Sequence, residues 1–315
     1  MKNTPVICIL ITLLTAGCFL TSCKTENAPS EESNELAFST ETVDTIRLAG
    51  AYALYPLATA WADAFHAAYP NIHFEVSKLS VDEARQMVSD GRADMAMLSQ
   101  EIQVRKHCWR VAVAKGGVVP VLNAANPYLP KLLEQGVQHD DLIQAYQNGQ
   151  ASWATWTGQG NQDPVKLYYR SDTSGAGITW AQFLWTDITE IKGIPVNGQD
   201  EMIQKIKEDV YALGYINMNN CFDLNTRDLQ QGLAILPLDL NYNQRIDAKE
   251  KLPPTLDEFR RFICLGKYPK NLCRNLYFAA PEEPTAPAIK AFLDYCMNEG
   301  QEKLDSMGFG SLKGH

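Results

Sequence analysis

The chain has 315 residues, of which 45% are hydrophobic and 21% are charged, and its formal net charge at pH 7 is −9. This composition is typical of a globular α/β protein with room for two modest domains. The excess of acidic residues argues against nucleic acid and anionic membrane surfaces as partners, because both repel a negatively charged protein. If the protein binds an anion, the attraction must be local, from helix ends, backbone amides and one or two arginines.

The N-terminus is typical of an exported bacterial lipoprotein. Lys2 precedes an apolar stretch, residues 6–14, that is too short to span a membrane with confidence. Leu20-Thr21-Ser22-Cys23 then has the form of a lipobox, which predicts a signal peptide over residues 1–22 and lipidation of Cys23. A plain secretory peptide is the alternative, and Cys18 ends a weaker second lipobox. The polar residues 23–43 are expected to form a flexible tether.

The folded body is predicted to begin at Asp44 with strands and helices in alternation. Apolar runs predict strands over residues 45–49, 72–76 and 93–98. Pro56 favours a helix over residues 57–69, and a capping box of Ser80 and Glu83 favours another through Val88. This β–α–β–α–β order predicts a parallel sheet covered by helices.

The rest of the chain predicts a second lobe and a return to the first. Residues 111–122 are almost all apolar, as expected for a strand that crosses between lobes. Trp153 and Trp156 are interpreted as core residues. A helix (199–207), a strand (211–217), a returning strand (276–280) and a terminal helix (286–305) follow. We therefore expect lobe I to comprise residues 44–118 and 271–315, and lobe II residues 119–270.

The strongest functional signal lies in residues 169–180. An apolar strand leads into Arg170, three hydroxyl residues and two glycines, and the stretch ends as the first turn of a helix. The first N–H groups of a helix have no internal acceptor and carry partial positive charge, and Arg170 offers a planar fork of donors. This pattern predicts an anion site. An ordinary strand-to-helix turn with Ser/Thr capping is the alternative.

Four segments, in this order and spacing, resemble the phosphate-binding subunit of bacterial ABC transporters, the PstS-like solute-binding proteins. They are Gly-Ala-Tyr-Ala-Leu-Tyr-Pro-Leu (50–57), Ala-Asp-Met-Ala-Met-Leu-Ser-Gln-Glu-Ile (93–102), Tyr-Arg-Ser-Asp-Thr-Ser-Gly (169–175) and Ala-Leu-Gly-Tyr-Ile (212–216). The likeness covers about residues 45–310. It implies an α/β, two-lobed periplasmic-binding-protein fold of type II, a Venus flytrap that holds a dehydrated oxyanion between its lobes.

The resemblance also implies ligand-binding residues. By position, the oxyanion would be bound by Arg170, by the helix start at Ser174, Gly175 and Ala176, by the first loop at Ala51 and Tyr52, and by Ser80 and Ser99. The chain departs from the family in several places. The glycine-rich loop before Ser80 has no glycine, and Ala51 and Ala176 stand where the family has hydroxyl residues.

The implied function is a lipid-anchored receptor on the periplasmic side of a bacterial membrane. It would capture phosphate or a related oxyanion as a monomer and deliver it to the ABC permease subunits. It would have no enzymatic activity and no required cofactor, and only its lipid would touch the membrane. A non-catalytic surface scaffold that has lost or changed its ligand is the alternative. A serine hydrolase using Ser174 is disfavoured, because Thr-Ser-Gly-Ala-Gly is not a nucleophile elbow.

A twelve-residue stretch, residues 239–250, resembles an EF-hand calcium loop. Its oxygen ligands would be Asp239, Asn241, Asn243, the carbonyl of Arg245, Asp247 and Glu250. Gln244 occupies the sixth position, where glycine normally permits the sharp turn. The spacing predicts a structural Ca²⁺ site, and the alternative is an Asn/Asp-rich turn that has lost its metal.

Five cysteines follow the leader, at positions 108, 221, 264, 273 and 296. An odd number leaves at least one free thiol in an exported chain. Cys264 and Cys273 are close enough in sequence to pair, and the sequence leaves that pairing open.

Overall fold

A computed structural model describes residues 44–99, 108–172 and 174–312. The leader, the tether and Cys23 lie outside the described residues. The strands are β1 Asp44–Gly50, β2 Ile72–Lys78, β3 Met95–Leu98, β4 Trp109–Asn123, β5 Val137–Gln138, β6 Lys166–Arg170, β7 Ile194–Val196, β8 Ala212–Asn217, β9 Leu233–Ile235, β10 Leu238–Asp239 and β11 Cys273–Ala280. The helices are α1 Tyr55–Ala68, α2 Val81–Ser89, α3 Leu129–Gln135, α4 His139–Asn148, α5 Trp153–Thr157, α6 Gly175–Phe183, α7 Gly198–Glu208, α8 Leu256–Cys264, α9 Pro287–Met297 and α10 Glu302–Ser306.

One long strand, β4, joins two half-sheets. Within the described ranges the main sheet has the order β2-β1-β3-β11-β4-β8-β6-β7, with β9 also paired to β4. The first half of β4 runs antiparallel to β11, and its second half, from Val118 to Leu122, runs antiparallel to β8. Strands β1, β2 and β3 are parallel to one another, as are β6, β7 and β8. The predicted β–α–β–α–β start is confirmed.

Separate hydrophobic cores give the molecule two lobes. The first lobe buries α1, β1, β3, β11 and α9 around Trp61 and Phe292. The second lobe buries α4, α6, β8 and α8 around Trp180 and Phe259. Trp153 is fully buried in the second core and Trp156 packs against it, which confirms their interpretation as core residues. The two-lobed α/β architecture is thus confirmed, while the exact lobe boundaries stay a prediction.

One sequence-based expectation needs correction. The predicted terminal helix, 286–305, is interrupted after Met297, because the helix breaks at Asn298 (φ −120°, ψ −96°) and a short 3-10 turn follows before α10. The interruption lets the Gly300 carbonyl accept a hydrogen bond from Trp61 Nε1 at 2.7 Å.

All five cysteines beyond the leader are free thiols, so Cys264 and Cys273 do not pair. Of the helices described, none has the length and apolarity needed to cross a bilayer.

Candidate oxyanion site

The start of α6 is the first component of the site. The sheet brings β6 to its end at Arg170, and α6 begins five residues later at Gly175, so the Gly/Ser stretch itself forms the first helical turn. Ser174 is the N-cap, and its Oγ accepts the N–H of Gly177 at 3.2 Å. The first turn of α6 contains no acidic residue. The partial positive charge of this helix end is therefore not neutralised from within the helix.

Arg170 is the second component, and it is only 2% exposed. Its Nε donates to Asp172 Oδ1 at 2.5 Å and its Nη2 donates to Asp172 Oδ2. The backbone N–H of Arg170 donates to the hydroxyl of Tyr215, which also fixes the end of the strand. Asp172 therefore holds one edge of the guanidinium. The other edge, formed by Nη1 and Nη2, is the one suited to an oxyanion.

Ser99, directly after β3, reaches the site from the first lobe. It is 1% exposed, and within the described part of the chain its Oγ has no hydrogen-bond partner. A Cβ atom placed on Gly175 would lie 1.7 Å from that Oγ. Only glycine therefore permits this approach of the two lobes. A buried hydroxyl without a partner costs about 1–3 kcal/mol, so its position here calls for an explanation.

Arg274, on β11, is a component that sequence reasoning missed. It is 8% exposed, its Nη1 donates to Thr179 Oγ1 at 3.2 Å, and its Nη2 donates to Asn217 Oδ1. Its Nε is buried without a partner among the residues described. The signal was a lone charged residue, the second of a strand that is apolar from Leu276 onward, Cys-Arg-Asn-Leu-Tyr-Phe-Ala-Ala.

The electrostatics of this cluster are unusual for an acidic protein. Burial, and to a smaller extent the charge of Arg170, lower the pKa of the Arg274 guanidinium to about 9. Both causes disfavour the charged form, and a bound anion would oppose them. The cluster holds two buried guanidinium groups beside one paired carboxylate, Asp172. An excess of buried positive charge lowers the stability of the folded protein unless a ligand neutralises it.

Three residues predicted from the resemblance have no hydrogen bond to this cluster within the described ranges. The N–H of Ala51 donates to the carbonyl of Met97 at 2.9 Å, and Tyr52 is 37% exposed beneath the ammonium group of Lys78. Ser80 caps α2 instead. Its hydroxyl donates to the Glu83 carboxylate at 2.7 Å, and its N–H donates to the same carboxylate at 3.0 Å. The structure therefore assembles Ser99, Arg170, Ser174, Gly175 and Ala176, and leaves Ala51, Tyr52 and Ser80 engaged elsewhere.

A cavity of about 460 Å³ lies between α2 and β3, away from the start of α6. Its charged lining residues Asp82 and Arg85 form an exposed ion pair at 3.6 Å, and its walls at Ala96, Leu98 and Ala279 are apolar. None of its lining residues that the structure describes carries a buried, unpartnered donor. Size alone therefore does not make this cavity the anion site.

The EF-hand-like loop folds around its own backbone. The fully buried carboxylate of Asp239 accepts the N–H groups of Asn243 and Gln244, and Glu250 accepts those of Leu240 and Asn241. Gln244 adopts φ +58°, so the sixth position does need the left-handed conformation that glycine would supply at no cost.

The remaining predicted calcium ligands also lie in this loop. The amides of Asn241 and Asn243 donate to Asp247, and Arg245 donates its N–H to Asn243 Oδ1. No group of three or more His, Cys, Asp or Glu residues within the described ranges is arranged to hold a metal ion. Calcium binding by the loop stays a prediction, which thermal unfolding with and without Ca²⁺ tests.

Two lobes joined by a continuous sheet, with a cationic polar cluster where they meet, are the architecture of a solute-binding protein. The chain belongs to the PBP superfamily, whose domain model matches residues 37–299. A search of curated proteins finds no match. The sequence-based resemblance to PstS-like receptors is confirmed at the level of the fold by solved structures.

Three solved structures illustrate that likeness. A putative phosphate ABC transporter substrate-binding protein with bound phosphate, from Clostridium perfringens, is 16% identical, with a TM-score of 0.67 over 86% of this chain and 100% of that one. An ABC-type phosphate transport receptor from Vibrio cholerae is 17% identical, with a TM-score of 0.63 over 84% and 99%. PstS from Borrelia burgdorferi is 15% identical, with a TM-score of 0.52 over 86% and 99%.

Proposed function

We propose that this protein is a solute-binding receptor that captures phosphate or a related oxyanion between its lobes. The observation that carries the proposal is the buried Ser99 hydroxyl, which has no partner among the described residues and lies against Gly175, at the helix start that follows the buried Arg170. Buried donors are normally hydrogen-bonded, and an anion at this position would accept from them. The structural relatives described as phosphate receptors support phosphate as the ligand to test first.

The mechanism is lobe closure without bond chemistry. Ser99 packs directly against Gly175, so an anion can enter only when the lobes separate. On closure Ser99 would donate from the first lobe, while Arg170 and the first amides of α6 would donate from the second. Removal of water strengthens each of these charge-assisted hydrogen bonds. A receptor of this kind carries no catalytic group.

Delivery to an ABC permease completes the proposed function. A permease that recognises the closed form would collect only loaded receptors, because the ligand shifts the population toward that form. We further propose that lipidated Cys23 anchors the protein, as a monomer, on the periplasmic side of a bacterial membrane. No nucleic acid is involved, in keeping with the net charge of −9.

The test is isothermal titration of the purified mature protein with phosphate, arsenate, sulfate and molybdate. We expect saturable one-to-one binding that Arg170→Ala reduces by at least about 100-fold, since a buried charge-assisted bidentate contact is lost. Arg92→Ala is the matched control, because Arg92 forms only an exposed ion pair with Asp90.

The outcomes separate the candidate functions. Phosphate binding that depends on Arg170 establishes a phosphate receptor, and binding of another oxyanion alone keeps the receptor and changes its ligand. If titration with each of the four anions gives no heat of binding, the alternative function is favoured, a surface scaffold that has lost its ligand. The engagement of Ala51 and Ser80 in other hydrogen bonds is the observation on the side of that alternative.

A further inference from the structure

Arg274 lies where the two lobes join, and its positive charge has no negative partner among its hydrogen bonds. Its two acceptors, Thr179 Oγ1 and Asn217 Oδ1, are both neutral. We propose that Arg274 is a second anion-binding arginine, and that its charge makes the site prefer doubly charged tetrahedral oxyanions over singly charged ones. This inference rests on the proposed receptor function and deepens it.

The geometry places Arg274 at the site itself. Its Nη1 would lie 2.8 Å from a Cβ atom on Gly175, the same position that Ser99 Oγ approaches to 1.7 Å. Two separate elements therefore converge on the first residue of α6: Ser99 after β3 and Arg274 on β11. Both the Ser99 hydroxyl and Arg274 Nε are buried without a partner in the described part of the chain. The two residues that approach Gly175 therefore each carry a donor that an anion at this helix start would satisfy.

A purely structural role does not explain a charge at this position. Thr179 Oγ1 and Asn217 Oδ1 are neutral acceptors, so the hydrogen bonds to them do not by themselves require a cation. The charge is instead kept in the interior and near Arg170, and burial first, then repulsion from Arg170, lowers the pKa of Arg274. Buried like charges destabilise the empty protein. They become favourable only when an anion lies beside them.

The division of charge between the two arginines explains the proposed selectivity. Asp172 compensates the charge of Arg170, whereas Arg274 contributes a full positive charge and α6 a partial one. Coulomb attraction grows with the charge on the ligand, and it is strong in a water-excluded site. Sulfate and perchlorate are suitable probes, because both are tetrahedral and they differ by one unit of charge.

The experiment titrates the purified mature protein and its Arg274→Gln variant with phosphate, sulfate and perchlorate. We expect the Kd for the tighter of phosphate and sulfate to rise about 10- to 100-fold in Arg274→Gln, as for a lost hydrogen bond between charged groups. The Kd for perchlorate should rise much less, so the ratio of the perchlorate Kd to the Kd for the tighter of phosphate and sulfate should fall. Arg47→Gln, at an exposed ion pair with Glu75, is the matched control and should leave the ratio unchanged.

A second measurement separates binding from folding. Without an anion, the midpoint of thermal unfolding of Arg274→Gln should equal or exceed that of the wild type, because an uncompensated buried charge is gone. Unchanged affinities together with a lower unfolding midpoint would show a structural residue and overturn the proposal. If Arg170→Ala still abolished binding in that case, the receptor function would stand without this inference.

Arg274→Lys keeps the proposal testable if the glutamine variant does not fold. Lysine retains the charge but loses the planar fork, so affinity should fall while the preference for the doubly charged anion remains. A Kd ratio that collapses in Arg274→Lys would overturn the assignment of selectivity to charge. If the wild type binds no oxyanion at all, the proposed receptor function fails first, and this inference fails with it.

Discussion

Two helix starts, those of α2 and α6, begin from the same local pattern and end with opposite roles. Each helix follows a parallel strand of the sheet and is capped by a serine, Ser80 for α2 and Ser174 for α6. Both were predicted from the sequence to contact the same anion. Among the described residues, Ser99 and Arg274, which each carry a buried donor without a partner, lie against the α6 start, whereas Ser80 at the α2 start is bonded to Glu83.

The first turn of each helix accounts for much of the difference. The α2 turn carries Asp82 and Glu83, and the Glu83 carboxylate already occupies both the hydroxyl and the N–H of Ser80. Helix α2 thus supplies its own anion. The α6 turn has no acidic residue, the nearby Asp172 is paired with Arg170, and Arg274 and the Ser99 hydroxyl lie against Gly175. A serine N-cap is therefore proposed as an anion site here only where the helix end is left without an acidic residue of its own.

The largest expected effect comes from filling the contact at Gly175. A Cβ atom in Gly175→Ala would meet Ser99 Oγ at 1.7 Å and Arg274 Nη1 at 2.8 Å. We expect a stability loss of about 1–3 kcal/mol from overpacking. We also expect anion affinity to fall by roughly 100-fold, since the lobes could no longer close. Isothermal titration and thermal unfolding measure the two effects.

Gly116→Ala is the matched control for that variant. Gly116 lies on β4 opposite Arg274, and a Cβ atom there would have nothing within 4 Å. Both affinity and stability should stay close to those of the wild type. Equal effects of the two substitutions would mean that glycine matters here for backbone freedom and not for the meeting of the lobes.

The next effect separates the two serines directly. Ser99→Ala removes a buried hydroxyl without a partner, so the empty protein should gain up to about 1 kcal/mol of stability. Its affinity for the anion should fall about 10-fold, because one ligand donor is lost. Ser80→Ala should do the reverse, with about 1 kcal/mol of lost helix capping and unchanged affinity. A reduced affinity of Ser80→Ala for the anion would contradict the claim that Ser80 only caps α2 and does not contact the ligand.

The smallest expected effect is a pH dependence of protein stability that arises from Glu83 in the first turn of α2. The side-chain hydrogen bond from Ser80, and then its backbone hydrogen bond, hold the pKa of Glu83 below its ordinary value of 4.5. Since the folded pKa is depressed, this carboxylate contributes stability above the unfolded pKa and loses it as pH falls through the folded one. The difference in unfolding midpoint between wild type and Glu83→Gln should therefore shrink in acid. A difference independent of pH would show that the charge of Glu83 does not matter.

Much of the fold could be predicted because its signals are local. The capping box at Ser80 and Glu83 is present as predicted, and so is the apolar crossing strand, which extends from Trp109 to Asn123. The terminal helix was predicted as continuous, since nothing in residues 286–305 reveals that Gly300 must meet Trp61. That contact joins residues far apart in the chain, so the spacing of apolar residues within the helix does not predict it.

The sequence by itself determined the order of strands and helices, the Gly/Ser start of α6 and the candidate role of Arg170, because each depends on residues close together in the chain. Only the tertiary structure decided which groups share the site. It brought Ser99 and Arg274, from distant strands, onto Gly175, and it left Ser80 with its own capping partner. Burial and the pairing of charge depend on what packs nearby. Those neighbours are fixed by the joining of two lobes and not by any local motif.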